Sequence, residues 1–552
     1  MNRNWWKEGV VYQIYPRSFN DSNSDGLGDI KGIIDKLEYI KSLGVDMIWI
    51  CPMYESPNVD NGYDVSDYRK ISDDFGGDKD FDSLLKEIHS LGLRLIMDLI
   101  PNHSSDQHYW FQQARKSKKN PYHDYYIWKE GNFNSLPNNW KSVFSGNAWE
   151  WNPNTKEYYL HYYTKKQPDL NWENEKVRKE IYSIIEYWLE KGVDGFRMDV
   201  ISLISKSLSF KNISEEMPFS KVMEKVYANG PRVHEFLKEM NREVLSKYDI
   251  VTIGEGPGIN LENGLNYVDA SEKELNMIFH FDHLTIDFGK DGKYDPIPID
   301  FIRFKEIFRL WDKVIGDKGW NSIFLGNHDF SRIVSRFGND QKYHTESAKL
   351  LVTLLMTLRG TPCIYQGDEI GMTNANYKSI DLYDDIETIN AWKDAKRKGK
   401  NIENFFKAVK LQSRDNARTP MQWDSSLNSG FSKVKPWIPV NENYLNVNVA
   451  TQENDSNSIL NFYREMISFR KQNAGLIYGH YEDLDPNNNN FFVYKRWDLD
   501  SNFLIIHNFS NSIDFYEKIN YKKYSLVISN YPLNKNYSKF NPWESKVFYL
   551  VS

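Results

Sequence analysis

The length, charge and composition of the chain exclude several classes of protein. At 552 residues the chain is too long for one ordinary hydrophobic core, so we expect about two to four domains. The formal net charge of −7 comes from mixed rather than clustered charges, which does not favour a nucleic-acid or anionic-membrane partner. Aromatic residues make up 15% of the chain. Flat rings with polar tips suit neutral, hydroxyl-rich ligands, although large proteins also bury such rings in their cores.

The N-terminal segment and the cysteines indicate the cellular compartment. Residues 1–16 contain no continuous apolar stretch with a small-residue cleavage site, and no run of about 18 apolar residues follows. We therefore expect a soluble, cytoplasmic protein. Cys51 and Cys363 each lie in an apolar, strand-like run, which is typical of core thiols rather than of a disulfide or a metal site.

Short apolar strands alternate with amphipathic helices along the chain. The pattern predicts eight strands at 10–15, 45–50, 93–98, 193–199, 250–255, 275–281, 322–327 and 361–366. The helices predicted between them include 30–43, 81–91, 177–191 and 348–358. Alternation of this kind predicts parallel βαβ units, and eight of them predict an α/β fold, the closed (β/α)8 TIM barrel.

Two segments depart from the alternation. Residues 104–172 are rich in Asn, Trp, Tyr and Gly and too long for an ordinary loop, so we predict a small inserted domain after the third strand. From residue 474 onward, alternating strands with turn signals predict a C-terminal antiparallel β-sandwich domain over 474–552. The barrel is then expected to comprise residues 1–103 and 173–473.

Four short strings place polar side chains where predicted strands end. They are DLIPNH ending at His103, GFRMD ending at Asp199, TIGEG with Glu255, and GNHD ending at Asp329. In a barrel these strand ends form the active-site face. Glycoside cleavage needs one carboxylate to attack or to activate water, and another to protonate the leaving oxygen. The four strings together therefore predict a sugar-cleaving site.

The spacing of the acids suggests a role for each. Arg197 lies two residues before Asp199, so on a strand both side chains point to one face, and the guanidinium favours an ionised nucleophile. Glu255 is the candidate general acid and base, and Asp329 would hold sugar hydroxyls and help to distort the ring. The alternative for Arg197 and Asp199 is a purely structural ion pair on the barrel floor.

Further side chains near these strand ends are candidates for binding sugar hydroxyls. The candidates are Asp60, Tyr63, His103, His328 and Arg414. Asp60 and Tyr63 lie in the string DNGYD, for which a plain turn is the alternative. The histidines each follow an Asn, and ordinary loop histidines are the alternative. Either Arg414 or Arg418 could bond Asp60 or a sugar hydroxyl.

The string DSNSDGLGD alternates oxygen-bearing residues around a glycine, as calcium requires. The candidate ligands are Asp21, Asn23, Asp25, the carbonyl of Leu27, and Asp29. A full EF-hand loop would have a bidentate glutamate where this chain has Gly32. We therefore predict a structural calcium loop rather than a sensor, and a metal-free turn is the alternative.

These motifs resemble those of the α-amylase superfamily, the retaining glycosidases of glycoside hydrolase family 13. The strings QPDLNW at 167–172, DNGYDVSDY and RTPMQW are similar to the oligo-1,6-glucosidase group within it, and the resemblance covers nearly the whole chain. It implies the barrel, the calcium site, and the roles of nucleophile, acid/base and transition-state stabiliser for Asp199, Glu255 and Asp329. It also implies that the terminal glucose is bound by Asp60, Tyr63, His103, Arg197, His328 and Arg414.

The resemblance implies a retaining, exo-acting α-glucosidase that removes terminal α-1,6-linked glucose from isomaltose and short isomalto-oligosaccharides. Alternatives are a sucrose- or maltose-type α-glucosidase, a trehalose-6-phosphate hydrolase, a sucrose isomerase, or a non-catalytic relative, although the three intact acids speak against the last. The arginine-rich segment of sucrose isomerases is not evident in 299–308, which favours hydrolysis. We expect a monomer with a small oligosaccharide substrate and no organic cofactor, nucleic acid or membrane partner.

Val200 directly follows the expected nucleophile and is a candidate for selecting the linkage. In the family that this chain resembles, valine here accompanies preference for α-1,6 bonds. The physical reason is steric, because an α-1,6 link has an extra rotatable bond and can swing its second sugar away from a branched side chain. The alternative is that Val200 only packs behind the barrel.

Overall fold

A computed structural model describes residues 4–532, 534 and 536–551, and eight parallel strands form its central sheet. They are β1 Val11–Ile14, β2 Met47–Ile50, β3 Arg94–Leu99, β4 Gly195–Met198, β5 Val251–Gly256, β6 Met277–His280, β7 Ser322–Ile323 and β8 Thr361–Tyr365. Their order is β6-β5-β4-β3-β2-β1-β8-β7. Ser322 Oγ of β7 donates a 2.7 Å hydrogen bond to the carbonyl of Ile278 in β6. This contact joins the two end strands, so the predicted (β/α)8 TIM barrel is confirmed.

The barrel strands are short apolar runs that are buried on both faces, as parallel strands require. The seventh is shorter than predicted, because only Ser322 and Ile323 pair with β8. The partner of Ile323 is Pro362, which has no N–H to donate to a neighbouring strand. Residues 324–327 therefore belong to the loop that carries His328 and Asp329 into the site.

Amphipathic helices surround the barrel. The main ones are α1 Leu37–Ser42, α2 Gly77–Ser90, α3 Glu175–Lys191, α4 Val233–Glu243, α5 Gly264–Val268, α6 Phe301–Ile315, α7 His344–Thr357 and α8 Ile459–Gln472. In α3, buried residues recur at helical spacing, the Asn174 side chain caps the first turn, and Gly192 ends the helix at φ 107°. The single helix predicted over 30–43 is two helices, because Lys36 leaves the helical conformation.

Further helices complete the outer layer. They are Trp5–Glu8, Ile30–Ile34, Tyr109–Ala114, Phe219–Val222, Ile333–Phe337, Ile386–Arg397, Ile402–Gln412, Asp415–Arg418, Val449–Glu453 and Ala474–Ile477. None of the described helices combines the length and the apolar character needed to cross a lipid bilayer.

A small antiparallel sheet lies between β3 and α3. Its strands are Trp128–Glu130, Glu157–Leu160 in the middle, and Trp149–Asn152. Aromatic side chains of this segment, including Trp140 and Tyr162, share one buried cluster with Val200. The segment therefore packs directly against the residue that follows Asp199.

The C-terminal part is an antiparallel sheet in the order β9-β10-β11-β13-β12. Its strands are β9 His480–Asp483, β10 Phe491–Trp497, β11 Asn502–Asn508, β12 Tyr524–Ser529 and β13 Ser545–Leu550. One face, with Phe492 and Ile505, joins the core of the barrel. The other face packs on the two-stranded sheet of Asp514–Phe515 and Lys539–Phe540.

Buried cations anchor the C-terminal sheet to the barrel helices. Lys305 of α6 is fully buried, and its ammonium group donates to three carbonyls at 2.7–3.1 Å. The acceptors belong to Asp485, Asn488 and Phe491. Arg496 of β10 donates to the carbonyl of Thr357, at the end of α7, over 2.6 Å. Because a buried charge must be paired or hydrogen-bonded, the backbone carbonyls of each part of the chain stabilise a buried cation of the other part.

Candidate active site

Arg197 lies at the centre of the barrel's carboxyl end and bonds three carboxylates. Its Nη1 lies 2.7 Å from Asp98 Oδ1 and 2.9 Å from Asp199 Oδ1, and its Nη2 lies 2.7 Å from Glu255 Oε1. All four side chains are at most 6% exposed. Arg197 and Asp199 do point to the same side of the strand, as predicted, but the guanidinium bonds Asp98 and Glu255 as well as Asp199. Asp98, which was not among the predicted site residues, is a full member of the cluster.

Burial raises the pKa of both Asp199 and Glu255, and Arg197 opposes that rise at each carboxylate. Neighbouring carboxylates add to the rise, so the pair titrates together. A raised pKa suits Glu255, because a general acid has to carry its proton at neutral pH. When Glu255 holds the proton, the repulsion at Asp199 is relieved and Arg197 supports its ionised form.

Val200 adopts a left-handed backbone conformation between the two acids, with φ 38° and ψ 42°. This region is rare for a β-branched residue. The Val200 N–H donates to Glu255 Oε2 over 2.9 Å, so the residue after Asp199 orients Glu255 through its backbone. The Val200 side chain is 5% exposed and packs in the aromatic cluster of the inserted segment.

Asp329 lies opposite this pair among cationic and imidazole groups. Its Oδ1 lies 2.9 Å from Arg418 Nη2 and 3.2 Å from Arg414 Nη1, and its Oδ2 lies 3.2 Å from His328 Nε2. Burial alone would raise the pKa of Asp329, but His328 and the two arginines outweigh it and hold the pKa far below its usual range. Asp329 is therefore ionised at neutral pH.

The two arginines left open by the sequence have different contacts. Arg414 Nη2 lies 3.1 Å from Asp60 Oδ1, while Arg418 Nε donates to the carbonyl of His328 over 3.1 Å. Both arginines contact Asp329, but of the two only Arg414 also bonds Asp60 in the described part of the chain. Arg414 therefore links Asp60 to Asp329.

The remaining predicted binders converge on the same pocket. The Tyr63 hydroxyl lies 2.7 Å from His328 Nε2 and 3.0 Å from Asp98 Oδ2. His103 Nε2 lies 3.2 Å from the backbone carbonyl of Tyr63, and His103 is 1% exposed. Burial lowers the pKa of both histidines to about 3, so both rings are neutral at working pH. Neutral imidazoles can each donate one hydrogen bond and accept one.

Gln167 is a buried residue of the site that no sequence motif marks as a sugar binder. Its Nε2 donates to Asp60 Oδ2 over 3.1 Å and lies 3.3 Å from His103 Nε2. Gln167 begins the string QPDLNW, which served only to place the chain in a group. Its contact with Asp60 spans more than a hundred residues, which no local pattern reveals.

Two rings of the inserted segment form a wall of the pocket. The Tyr163 ring lies 5.2 Å from that of His103 and 5.3 Å from that of Phe144. Phe144 in turn lies 4.8 Å from the Arg414 guanidinium. The richness of the segment in aromatic residues was the only sequence signal for this wall.

An ion pair lies at the edge of the pocket beside Asp329. Lys293 Nζ lies 2.7 Å from Glu387 Oε2 and 3.3 Å from the backbone carbonyl of Asp329. Lys293 belongs to the hairpin of Phe288–Gly289 and Gly292–Pro296. No sequence motif marks this pair, because its members lie 94 residues apart.

The predicted calcium loop is a compact turn held by its own side chains. Asp21 accepts the backbone N–H groups of Asn23, Ser24 and Gly26. Asp29 caps the following helix by accepting the N–H of Gly32 over 2.7 Å. The described residues contain no group of three or more His, Cys, Asp or Glu side chains placed to hold a metal. The donors are nevertheless hard oxygens with free lone pairs, a set that suits calcium, so this site stays a prediction.

A closed barrel whose strand ends bring together one arginine and buried carboxylates, with neutral histidines beside them, has the chemical groups of a retaining glycoside hydrolase. The comparisons with known proteins agree with that class. A family model described as "Alpha amylase, catalytic domain" matches residues 13–479. The chain therefore belongs to the α-amylase family, and it is a glycoside hydrolase that acts on a carbohydrate.

Three similar proteins cover essentially the whole chain. An oligo-1,6-glucosidase of Parageobacillus thermoglucosidasius is 51% identical over 558 residues, with 99% of each chain covered. An oligo-1,6-glucosidase of Bacillus cereus is 48% identical over 557 residues, with 100% of each covered. An isomaltulose synthase from Klebsiella sp. LX3 has the same fold, with a TM-score of 0.97, 42% identity and complete coverage of both chains.

Proposed function

We propose that the protein is a retaining, exo-acting α-glucosidase that releases terminal α-1,6-linked glucose from isomaltose and short isomalto-oligosaccharides. The observation that carries this proposal is the contact of Arg197 with both Asp199 and Glu255. Because one guanidinium bonds both carboxylates, they are close neighbours on the same pocket. Retention requires such proximity, about 5–5.5 Å between the carboxyl groups. The choice of α-1,6-linked substrates is supported by the two oligo-1,6-glucosidases that are 51% and 48% identical to this chain.

The proposed reaction has two steps. In the first, a carboxylate oxygen of Asp199 bonds to the anomeric carbon while Glu255 gives its proton to the glycosidic oxygen, so that the leaving sugar departs as a neutral alcohol. In the second, Glu255 takes a proton from water, and the water oxygen displaces Asp199 from the glucosyl-enzyme. Each carboxylate then returns to its starting state. Asp329 stays ionised and would hold hydroxyls of the distorted ring.

The proposed exo action rests on a group of bonded side chains at one end of the pocket. Arg414 joins Asp60 and Asp329 across that end, and Phe144 lies beneath its guanidinium. Tyr63 and His328 meet side by side on the adjoining wall. A sugar entering from the open side would therefore stop after one ring, with its non-reducing end against these groups.

A panel of disaccharides tests the proposal. Isomaltose, maltose, sucrose and trehalose 6-phosphate are compared by kcat/KM, and the first-formed glucose is examined by proton NMR. We expect isomaltose to be the best substrate and α-glucose to appear first. Release of β-glucose would overturn retention. Conversion of sucrose to an isomer would favour the isomerase alternative, for which the structural similarity to an isomaltulose synthase is the supporting observation.

We also propose that the loop at 21–29 binds calcium and that the protein is a monomer. The residues that would hold the ion are Asp21, Asn23, Asp25, the Leu27 carbonyl and Asp29. Bound there, calcium would supply stability and no catalytic chemistry, because the loop belongs to a turn outside the pocket. Light scattering of the purified protein tests the monomer.

A further inference from the structure

Gln13 of β1 lies behind His328, on the side away from the pocket. It is fully buried. Its side-chain Nε2 lies 2.8 Å from His328 Nδ1 and 3.3 Å from Cys51 Sγ. No catalytic or sugar-binding role falls to Gln13 in the proposed reaction, so its contact with the ring needs its own explanation.

The other ring nitrogen determines which atom of His328 carries the proton. His328 Nε2 lies 3.2 Å from Asp329 Oδ2 and 2.7 Å from the Tyr63 hydroxyl. A carboxylate can only accept, so Nε2 must carry a hydrogen if it is to face Asp329. In a neutral ring Nδ1 is then a bare acceptor, and the group that faces it must be a donor. The amide nitrogen of Gln13 meets that requirement.

The orientation of the Gln13 amide is costly by itself. Its Oε1 is buried without a hydrogen-bond partner in the described part of the chain. Turning the amide by half a rotation would place Oε1 against the Nδ1 lone pair and leave the two acceptors in repulsion. A buried acceptor left unpaired is unfavourable, so the contact with His328 determines the orientation.

The surroundings of His328 keep it neutral. Burial lowers its pKa to about 3, with Arg197, Arg414 and Arg418 acting in the same direction and Asp329 opposing them. The titratable or charged groups that face the ring are Asp329, Arg197, Arg414, Arg418, Tyr15 and Tyr63. The ring therefore does not change charge in the working range, and its tautomer is the property left to be set.

We propose that Gln13 is a positioning residue that fixes His328 as the Nε2–H tautomer and holds its N–H toward Asp329 and the terminal glucose. The second half of this statement rests on the proposed function, because it takes His328 to bind glucose. The first half concerns the ring alone and can be tested without any substrate.

Nitrogen NMR of the protein with ¹⁵N-labelled histidine rings tests the tautomer. The His328 signals are identified by their loss in His328→Gln. We expect a protonated Nε2 and a hydrogen-bonded, unprotonated Nδ1. In Gln13→Met the Nδ1 signal should move toward that of a free acceptor. Gln422→Met is the matched control, because Gln422 is also fully buried and its Oε1 has no partner among the described residues, but its amide donates to Asn443 and Val447.

The activity of two Gln13 variants gives a second test, in which the direction of each change is predicted. Gln13→Met should lower kcat/KM by about fivefold to tenfold, the effect of one lost buried hydrogen bond. In Gln13→Glu the new carboxyl keeps a donor toward Nδ1 only while it is protonated. Its activity relative to wild type should therefore fall as pH rises, whereas the ratio for Gln13→Met should stay flat.

Three outcomes would overturn the proposal. They are a proton on Nδ1 in the wild type, an unchanged Nδ1 signal in Gln13→Met, and a pH-independent ratio for a folded Gln13→Glu protein. Melting temperatures of all variants show whether they are folded. If the NMR result holds while no disaccharide is cleaved, the positioning of His328 stands and the proposed function fails.

Discussion

Val200 donates its backbone N–H to Glu255 Oε2 over 2.9 Å, which connects the residue after Asp199, the proposed nucleophile, to the proposed acid and base. Because the backbone makes this bond, a substitution of the side chain leaves the donor in place. The left-handed φ of 38° is the condition for this geometry. Side-chain effects at this position can therefore be separated from effects on Glu255.

Linkage preference should change at Val200. In Val200→Ala or Val200→Thr we expect maltose hydrolysis to rise relative to isomaltose hydrolysis, because a smaller or reshaped side chain leaves room for the second ring. The expected change in the ratio of the two kcat/KM values is about tenfold to a couple of hundredfold. Unchanged ratios in both variants would mean that Val200 is not the selector. Tyr162→Phe, in the same aromatic cluster, controls for indirect repacking.

The two acids should respond differently to the leaving group. Asp199→Asn should abolish turnover of every substrate, because no glucosyl-enzyme forms. Glu255→Gln should slow isomaltose far more than an aryl glucoside whose phenolate leaves without a proton, by about 10²–10⁴-fold for the sugar. Steady-state rates on both substrates check this. Equal losses on the two substrates in Glu255→Gln would refute the assignment.

Stability should depend on pH through Asp368, which is 4% exposed. Burial raises the pKa of this carboxyl to about 7, although Arg332 opposes the rise. The folded pKa exceeds the unfolded one, so the contribution to stability is present below the unfolded pKa and is lost as pH rises through 7. Each unit of difference corresponds to about 1.4 kcal/mol.

Asp368→Asn should therefore stabilise the protein, and the gain in melting temperature should grow as pH rises from about 4 to about 7 and level off above that. Asp500→Asn, at an exposed position, is the matched control and should show no such trend. A gain for Asp368→Asn that is the same at every pH would contradict the titration of this group.

Calcium removal should lower stability without changing the chemistry. A chelator should reduce the melting temperature, because a ligand that binds only the folded state stabilises it by mass action. Asp25→Ala should have the same effect, and its kcat on isomaltose should match wild type at low temperature. Metal analysis of the purified protein is the direct check. Unchanged melting in Asp25→Ala, with no bound metal in the wild type, would speak against the site.

Much of the fold follows from the sequence because the barrel strands are local features. An apolar run of about five residues that ends in a carboxylate is visible without knowledge of its neighbours, and so Asp199 and Glu255 fall where they were expected. The contacts of Asp98 and Gln167 are not visible in this way. Both depend on residues that meet only when the barrel closes, and a buried polar side chain looks like any other in sequence.

The backbone conformation at individual residues could not be predicted from the sequence either. Nothing in the string GFRMDV indicates that Val200 takes a left-handed conformation, because propensity alone assigns valine to a strand. The short β7 has a similar cause, since its pairing depends on Pro362 in another strand. Tertiary contacts determine both the conformation of Val200 and the length of β7.

Lys305 makes the C-terminal sheet part of the folding of the barrel rather than an attachable module. Truncation ahead of that sheet would remove the three carbonyl acceptors of Lys305 and take away the apolar face, with Phe492 and Ile505, that completes the barrel core. Unfolding should then be a single transition shared by barrel and sheet. Replacing the C-terminal sheet by that of a relative should give a folded protein only where the new loop places three carbonyls within hydrogen-bonding distance of Lys305.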